Sequence, residues 1–315
     1  MAKKVLITGG AGFIGRAVAK KLVAMDFDVR VFDLEFSAKE ASEIKKLRGS
    51  ILDSNALCNA VRGCDYVVHL AAMLGVRRTE LKRAECLNVN ILGTVNVLEA
   101  CLKEKVKKII FSSSSEVYGE TDGIPINEDT PKHPVSIYAI TKLSGEEYIK
   151  AYWERYGLNY SIVRFFNVYG PGQVAEFVVP RFVKRVLNNK APVVYGDGTQ
   201  VRTFCFVEDC AQGVTQALLD TKADGQIFNI GNDSEPIAMK LLAERIIRLS
   251  GKKLEPEFVP MNESDRHSSR EIKMRVPCIN KARKILAFEP KTSLDEGIKR
   301  LIESEDITDA WCEDL

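Results

Sequence analysis

The sequence predicts an open, doubly wound α/β fold: a parallel sheet with helices on both faces, followed by a smaller C-terminal α/β lobe. Three observations carry the prediction. Through the first half, short β-type runs alternate with helical patterns, the order produced when right-handed helical crossovers join parallel strands. The runs are largely apolar, as in "VLIT", "YVVHLA" and "KIIF", so both faces of each strand need cover. A glycine-rich turn, "GGAGFIG", stands between the first run and the first helix, where folds of this class bring backbone against a phosphate.

In order, the strand runs fall at 5–8, 29–33, 66–71, 109–114 and 160–165, with helical patterns at 14–25, 85–104 and 136–156 between them. After Asn167 the pattern changes. "VYGPGQ" reads as a turn, a helix follows over 177–189, and "PVVYGDG", "VRTFCFV" and "IFNIG" are strand candidates. The last third mixes helices with a charged, loop-like segment over 261–275. The final thirteen residues, six of them acidic, read as a frayed surface tail. The expected division is a dinucleotide-binding domain at 1–166, joined by parts of 200–232, and a lobe of 167–199 and 233–315. That lobe would lie over the carboxyl edge of the sheet, where open α/β sheets bind ligands.

A chain of 315 residues can bury a sizeable core. Its 45% hydrophobic and 28% charged content is that of a soluble globular protein. The net charge is +2 with both signs interspersed, so there is no basic stripe to bind nucleic acid or a membrane surface. Eight cysteines, at 58, 64, 86, 101, 205, 210, 278 and 312, form no C-x-x-C pair, which predicts free thiols in a reducing cytoplasm. With only His69, His133 and His267, no histidine-rich metal site is expected. The N-terminal "MAKKVLITGGAGFIGRAVA" mimics a signal peptide, but four glycines interrupt its apolar run. No apolar run approaches the ~20 residues that span a bilayer.

Gly9, Gly12 and Gly15 give the turn a G-x-x-G-x-x-G spacing. Glycines there let the backbone approach a pyrophosphate, and the helix that follows offers N–H groups and a partial positive charge. Asp33 ends the second strand run, eighteen residues beyond Gly15, about where an acid meets the adenosine ribose. A carboxylate at that place repels a 2′-phosphate, which favours NAD over NADP.

Tyr138 and Lys142 are four apart in a helical pattern and so share one face. An ammonium beside a phenol favours the phenolate, which would turn a tyrosine into a usable base. Upstream, "FSSSSEVYGE" sets four serines before a glutamate. If the extended strand continues into the turn, Ser112, Ser114 and Glu116 point one way and Ser113 and Ser115 the other.

The glycine spacing, with "HLAA", "NILGT", "SSSEVYG", "YAITK", "RFFNVYGPG", "GDGTQVRTF" and "KARKIL" in that order, resembles the extended branch of the short-chain dehydrogenase/reductase superfamily. That branch holds the NAD-dependent nucleotide-sugar epimerases and dehydratases, and the likeness runs over 4–299. It implies a Rossmann NAD domain, a nucleotide-diphosphate sugar as substrate, and a homodimer joined through the helices near 85–104 and 136–156. By position, cofactor contacts are expected from Gly9, Gly12, Phe13, Ile14, Gly15, Asp33, Ile51, Leu70, Ala71, Ala72, Asn90, Tyr138 and Lys142. Asn90 is also expected to brace the helix that carries Tyr138.

The resemblance makes Ser114 the hydroxyl that holds the sugar C4 oxygen while Tyr138, supported by Lys142, takes its proton. Glu116 stands where family members that act at C5 carry glutamate, and a 4-ketone acidifies the C5 hydrogen for a nearby carboxylate. The expected function is therefore C4 oxidation followed by 4,6-dehydration or decarboxylation. A simple 4-epimerase, a net 4-dehydrogenase and, more distantly, a non-catalytic NAD sensor are the alternatives. Asn167, Arg202 and Arg275 match positions that hold the substrate diphosphate, with Arg266 and Arg270 as substitutes for Arg275. The chain departs from the family in three places. Ser115 replaces the aspartate that glucose-type dehydratases pair with the glutamate. Thr203 replaces an aspartate after the clamp arginine. Gly49-Ser50-Ile51 replaces Gly-Asp-Ile in the adenine pocket, so the side-chain contact to adenine is either weaker there or supplied by Asp53.

Overall fold

The structure, a computed structural model, describes residues 2–36, 44–263 and 272–308. Its centre is a seven-stranded sheet of β1 (Lys4–Thr8), β2 (Asp28–Asp33), β3 (Lys45–Arg48), β4 (Tyr66–His69), β5 (Lys108–Ser114), β6 (Tyr160–Phe165) and β12 (Gln226–Ile230). The strand order is β12-β6-β5-β4-β1-β2-β3, parallel throughout. The order reverses between β1 and β4, which opens a crevice beyond their carboxyl ends. The expected doubly wound parallel sheet is what the chain forms. β3, "KKLR", was not among the expected runs; its largely exposed charges suit an edge strand and conceal it from an apolar search.

Alternate residues of the inner strands feed two separate cores. Val5, Ile7, Val68 and Ile110 pack with Val18 and Leu22 of α1 (Phe13–Val23) and Val214 of α8 (Val207–Leu219). Leu6, Val67 and Ile109 pack with Leu57 of α2 (Ser54–Val61) and Val97 of α5 (Gly93–Lys103). Two apolar faces on each strand explain the scarcity of polar alternation in the sequence.

The helix expected over 85–104 is three pieces: α4 (Arg83–Leu87), a π-turn at Asn88–Leu92, and α5. A short α3 (Val76–Leu81) precedes it. The pattern at 136–156 is α6 (Ile137–Tyr156), capped by the Ser136 hydroxyl and closed by Gly157 in the left-handed region.

A third core lies under α7 (Val178–Leu187), α9 (Met239–Ser250) and α11 (Leu294–Ser304), with α10 (Asn280–Leu286) returning against β12. Short ladders tie the elements together. β7 (Val168–Tyr169) pairs with β11 (Cys205–Phe206), and β9 (Val193–Tyr195) with β14 (Glu257–Val259). β10 (Val201–Arg202) lies between β13 (Ile237–Ala238) and β15 (Met274–Arg275). "VRTFCFV" is thus two strands of different sheets, and the 261–275 segment ends in β15 rather than in a loop. The acidic tail is not frayed from its start, because β16 (Ile307–Thr308) pairs with β8 (Gln173–Val174). The rest of the tail, 309–315, lies outside the described residues, as do Arg266 and Arg270.

Candidate active site

At the crevice, β1 runs into the glycine turn, and the three glycines serve different needs. Gly9 has φ +69°, and a Cβ there would lie 2.6 Å from the Ala71 backbone nitrogen. One on Gly15 would lie 2.3 Å from the Gly9 carbonyl oxygen. The protein's own packing therefore demands both glycines. Among the described residues, a Cβ on Gly12 would meet only the Gly9 oxygen, at 3.2 Å, which leaves open space beside Gly12. Gly12 begins α1, whose first turn has no side-chain cap and no acid, which leaves N–H groups for an anion. The Asp33 carboxylate reaches back to this turn, accepting from Ala11 N at 3.0 Å and Leu34 N at 2.8 Å. An open cradle, unclaimed N–H groups and a carboxylate beside them fit a dinucleotide with a free ribose diol.

Phe13 packs its side chain against the third core, and Ile14 against both that core and the one beneath α1 and α8. β4 stops at His69, and Leu70, Ala71 and Ala72 form a loop whose first two residues abut Gly9. His69 is buried between the Thr8 hydroxyl at 2.7 Å and the Thr94 hydroxyl at 3.0 Å. Burial, then the Lys142 charge, pushes its pKa down to about 3, so it is a neutral strut. Ile51 packs on Gly93, and its carbonyl accepts from Asn96. The Asp53 carboxylate caps α2 through Asn55 N and Ala56 N.

Asn90 sits in the π-turn and works as a brace. Its amide exchanges hydrogen bonds with the Met73 backbone, at 2.7 and 3.0 Å, and donates to the Thr141 hydroxyl on α6 at 3.0 Å. Lys142 is buried and donates to the Ser112 carbonyl at 2.7 Å, with its nitrogen 5.7 Å from the centre of the Tyr138 ring. Desolvation lowers its pKa to about 8. Tyr138 moves the other way: burial, then the Glu116 charge, raises it. The expected fall of the tyrosine pKa beside the lysine is thus absent from the chain alone, because desolvation of a phenolate outweighs an ammonium already bound to a carbonyl.

The serine segment also differs from the expected alternation. The strand ends at Ser114, and Ser115–Tyr118 is a 3-10 turn. Ser114 Oγ caps it, accepting from Glu116 N at 3.2 Å. Glu116 Oε2 accepts from Ser136 Oγ at 3.0 Å, and that same hydroxyl accepts from Ala139 N at 3.0 Å. The turn brings Glu116 to the start of the helix that bears Tyr138, so Ser114, Glu116, Tyr138 and Lys142 are brought together. Ser113 and Ser115 are buried, and Ser113 donates to Glu146 at 2.5 Å. Ser136 was missed in the sequence; its place two residues before Tyr138, at a helix start, is the N-cap signal that could have found it.

On the substrate side, Arg202 and Arg275 are register partners on β10 and β15. Both are buried. Arg202 donates to the carbonyls of Val201 at 2.9 Å, Ile272 at 2.5 Å and Lys273 at 3.3 Å, which staples β10 to the β15 segment. Asn167, at φ +31°, donates to the Thr203 carbonyl at 2.9 Å. Thr203 is itself buried, so the loop is anchored through its backbone without the missing aspartate. The β15 segment also meets the chain just after the 3-10 turn: Lys273 N donates to the Glu120 carboxylate at 3.1 Å, and Ile126 pairs with Pro277.

Comparison with known proteins agrees with this geometry. The model of the NAD dependent epimerase/dehydratase family matches residues 5–231. The UDP-N-acetyl-alpha-D-glucosaminuronate decarboxylase of Bacillus cytotoxicus is 38% identical, over 96% of this chain and 98% of that protein. The dTDP-D-glucose 4,6-dehydratase of Mus musculus is 33% identical, over 96% and 88%. The solved UDP-glucose 4-epimerase of Thermotoga maritima, with UDP-glucose, superposes with a TM-score of 0.88 at 32% identity, over 96% and 98%.

Proposed function

The chain belongs to the NAD dependent epimerase/dehydratase family, and from that premise we propose that it oxidises a nucleotide-diphosphate sugar at C4 and then acts at C5, with decarboxylation of a uronate the outcome its pocket supports best. NAD, when bound, supplies the acceptor for the C4 hydrogen and its later return. The glycine turn, the first N–H groups of α1 and Asp33 hold it, with Ile51, Leu70, Ala71, Ala72 and Asn90 shaping its walls. Ser114 hydrogen-bonds the C4 oxygen, Tyr138 exchanges its proton, and Lys142 steadies the charge. Asn167, Arg202 and Arg275 bind the diphosphate, a task for which guanidinium groups are suited.

The observation that carries the C5 step is the position of Glu116. Its carboxylate is tied to the cap of the Tyr138 helix by one oxygen, and its charge opposes ionisation of Tyr138. Loss of carbon dioxide from a 4-keto uronate leaves an enolate that must take a proton at C5, and a carboxyl group beside Tyr138 can relay it. Dehydration needs a base at C5 first and an acid for the departing hydroxyl, and Ser115 is a poor acid.

We read 1–166 with parts of 200–232 as the NAD domain, and 167–199 with 233–315 as the sugar lobe. A cytoplasmic homodimer joined through α5 and α6 is part of the same reading. The exposed Ile140, Tyr148 and Tyr156 on α6, beside Leu92, support it. Among the described residues, no helix is long and apolar enough to cross a membrane.

Mass spectrometry of UDP-, dTDP- and GDP-linked hexoses and hexuronates, incubated with the protein in heavy water, tests the function. Loss of carbon dioxide from a hexuronate, slowed about a hundredfold but still measurable in Glu116→Gln, is the expected result. Loss of water from a hexose would make it a dehydratase, and an epimer without solvent deuterium would remove Glu116 from the chemistry.

A further inference from the structure

Behind the site lies a buried polar row that the reaction does not use directly. Ser113, Arg164 and Asn229 are register partners across β5, β6 and β12, so they point to the same face of the sheet. Arg164 has no exposed surface, nor has Glu146, which reaches it from α6 one turn beyond Lys142. The two form a bidentate pair, at 2.8 Å from Nε and 2.6 Å from Nη2, and Ser113 donates to the same carboxylate. The other end of the guanidinium donates to the Tyr118 hydroxyl at 2.8 Å and to the Glu128 carbonyl at 3.0 Å. The Tyr118 hydroxyl in turn donates to Asn229 Oδ1 at 2.7 Å.

Tyr118 is the last residue of the 3-10 turn that carries Glu116. Ser114, by contrast, is held by its pairing with Phe165 in the sheet. We infer that Tyr118 is a positioning residue, whose hydroxyl, gripped between Arg164 and Asn229, fixes the turn so that Glu116 stands at the right reach from Tyr138. The sheet alone suffices for Ser114. One buried cation thereby sets the spacing of the two catalytic segments, with Glu146 holding the Tyr138 helix and Tyr118 holding the Glu116 turn. The effect on chemistry rests on the proposed C5 role of Glu116; the effect on the turn does not.

The test is Tyr118→Phe, which keeps the ring and removes the grip. Hydrogen-exchange mass spectrometry of the full chain should show amides of the 115–119 turn exchanging about tenfold faster, with α6 and β5 unchanged. Unchanged exchange in the turn, or an increase spread evenly over the chain, overturns the inference. With UDP-N-acetylglucosaminuronate as probe, bound NADH should still form while carbon dioxide release falls at least tenfold. In a Glu116→Gln background the same substitution should cost nothing further, whereas a merely structural role would make the two losses multiply. If Glu116→Gln leaves carbon dioxide release intact, the C5 reading fails, and the exchange result still decides whether Tyr118 holds the turn.

Discussion

The two halves of the site are built by opposite means. The cofactor end is made of absences: Gly9 and Gly15 let backbone meet backbone, and Gly12 leaves room for something else. The catalytic end is backed by buried side chains, the Arg164–Glu146 ion pair and the Tyr118 phenol having no solvent exposure. The first kind of site tolerates almost no added atom. The second tolerates almost no lost partner, because a buried charge left alone is far costlier than one that was never there.

Substitutions can break this contrast, and the largest effect belongs to the side-chain end. Arg164→Met should destabilise the protein by about 3–5 kcal/mol in urea titrations, since Glu146 is left buried and unpaired. Replacing both partners, with Glu146→Leu added, should recover most of that loss; failure to recover would mean the pair is not what holds this end together.

Next in size is a pH effect. Lys142 has a folded pKa of about 8 against an ordinary 10.5, so burying its charge costs stability below about pH 8. Between about pH 8 and 10.5 the unfolded chain holds the extra proton, and stability should rise with pH from this group by at most about 3 kcal/mol. Lys142→Met should remove that rise, and denaturant midpoints across this range would show it.

At the glycine end, Gly15→Ala should cost about 1–3 kcal/mol through the clash with Gly9. Gly12→Ala is the smallest change in stability, under about 1 kcal/mol, yet it should weaken NAD binding by calorimetry. Equal stability losses at the two glycines would refute the assignment of one to packing and the other to a ligand.

The same contrast decides what the sequence could reveal. Glycine spacing, Asp33 and the Tyr138–Lys142 interval are local, so a linear reading can find them. The ion pair joins Glu146 in "SGEEYIK" to Arg164 in "RFFNVYG", and in sequence each looks like a solvated charge. The 3-10 turn was hidden for a related reason. Four serines suit a strand, and only the distant grip on Tyr118, with Gly119 at φ +64° behind it, shows why the chain bends before Glu116. The π-turn at Asn90 was equally invisible, because a single turn between two helices is too short to show a period of its own.

The position of β12 at the edge of the sheet has a consequence for how the protein is made. Asn229, which accepts the Tyr118 hydrogen bond, is synthesised long after the strands it completes. Until it emerges from the ribosome, Tyr118 lacks its acceptor and β6 is an open edge. The nascent first half is thus a sheet awaiting its last strand, and a fragment cut at residue 166 would inherit that unfinished edge, with the aggregation hazard of unpaired strands.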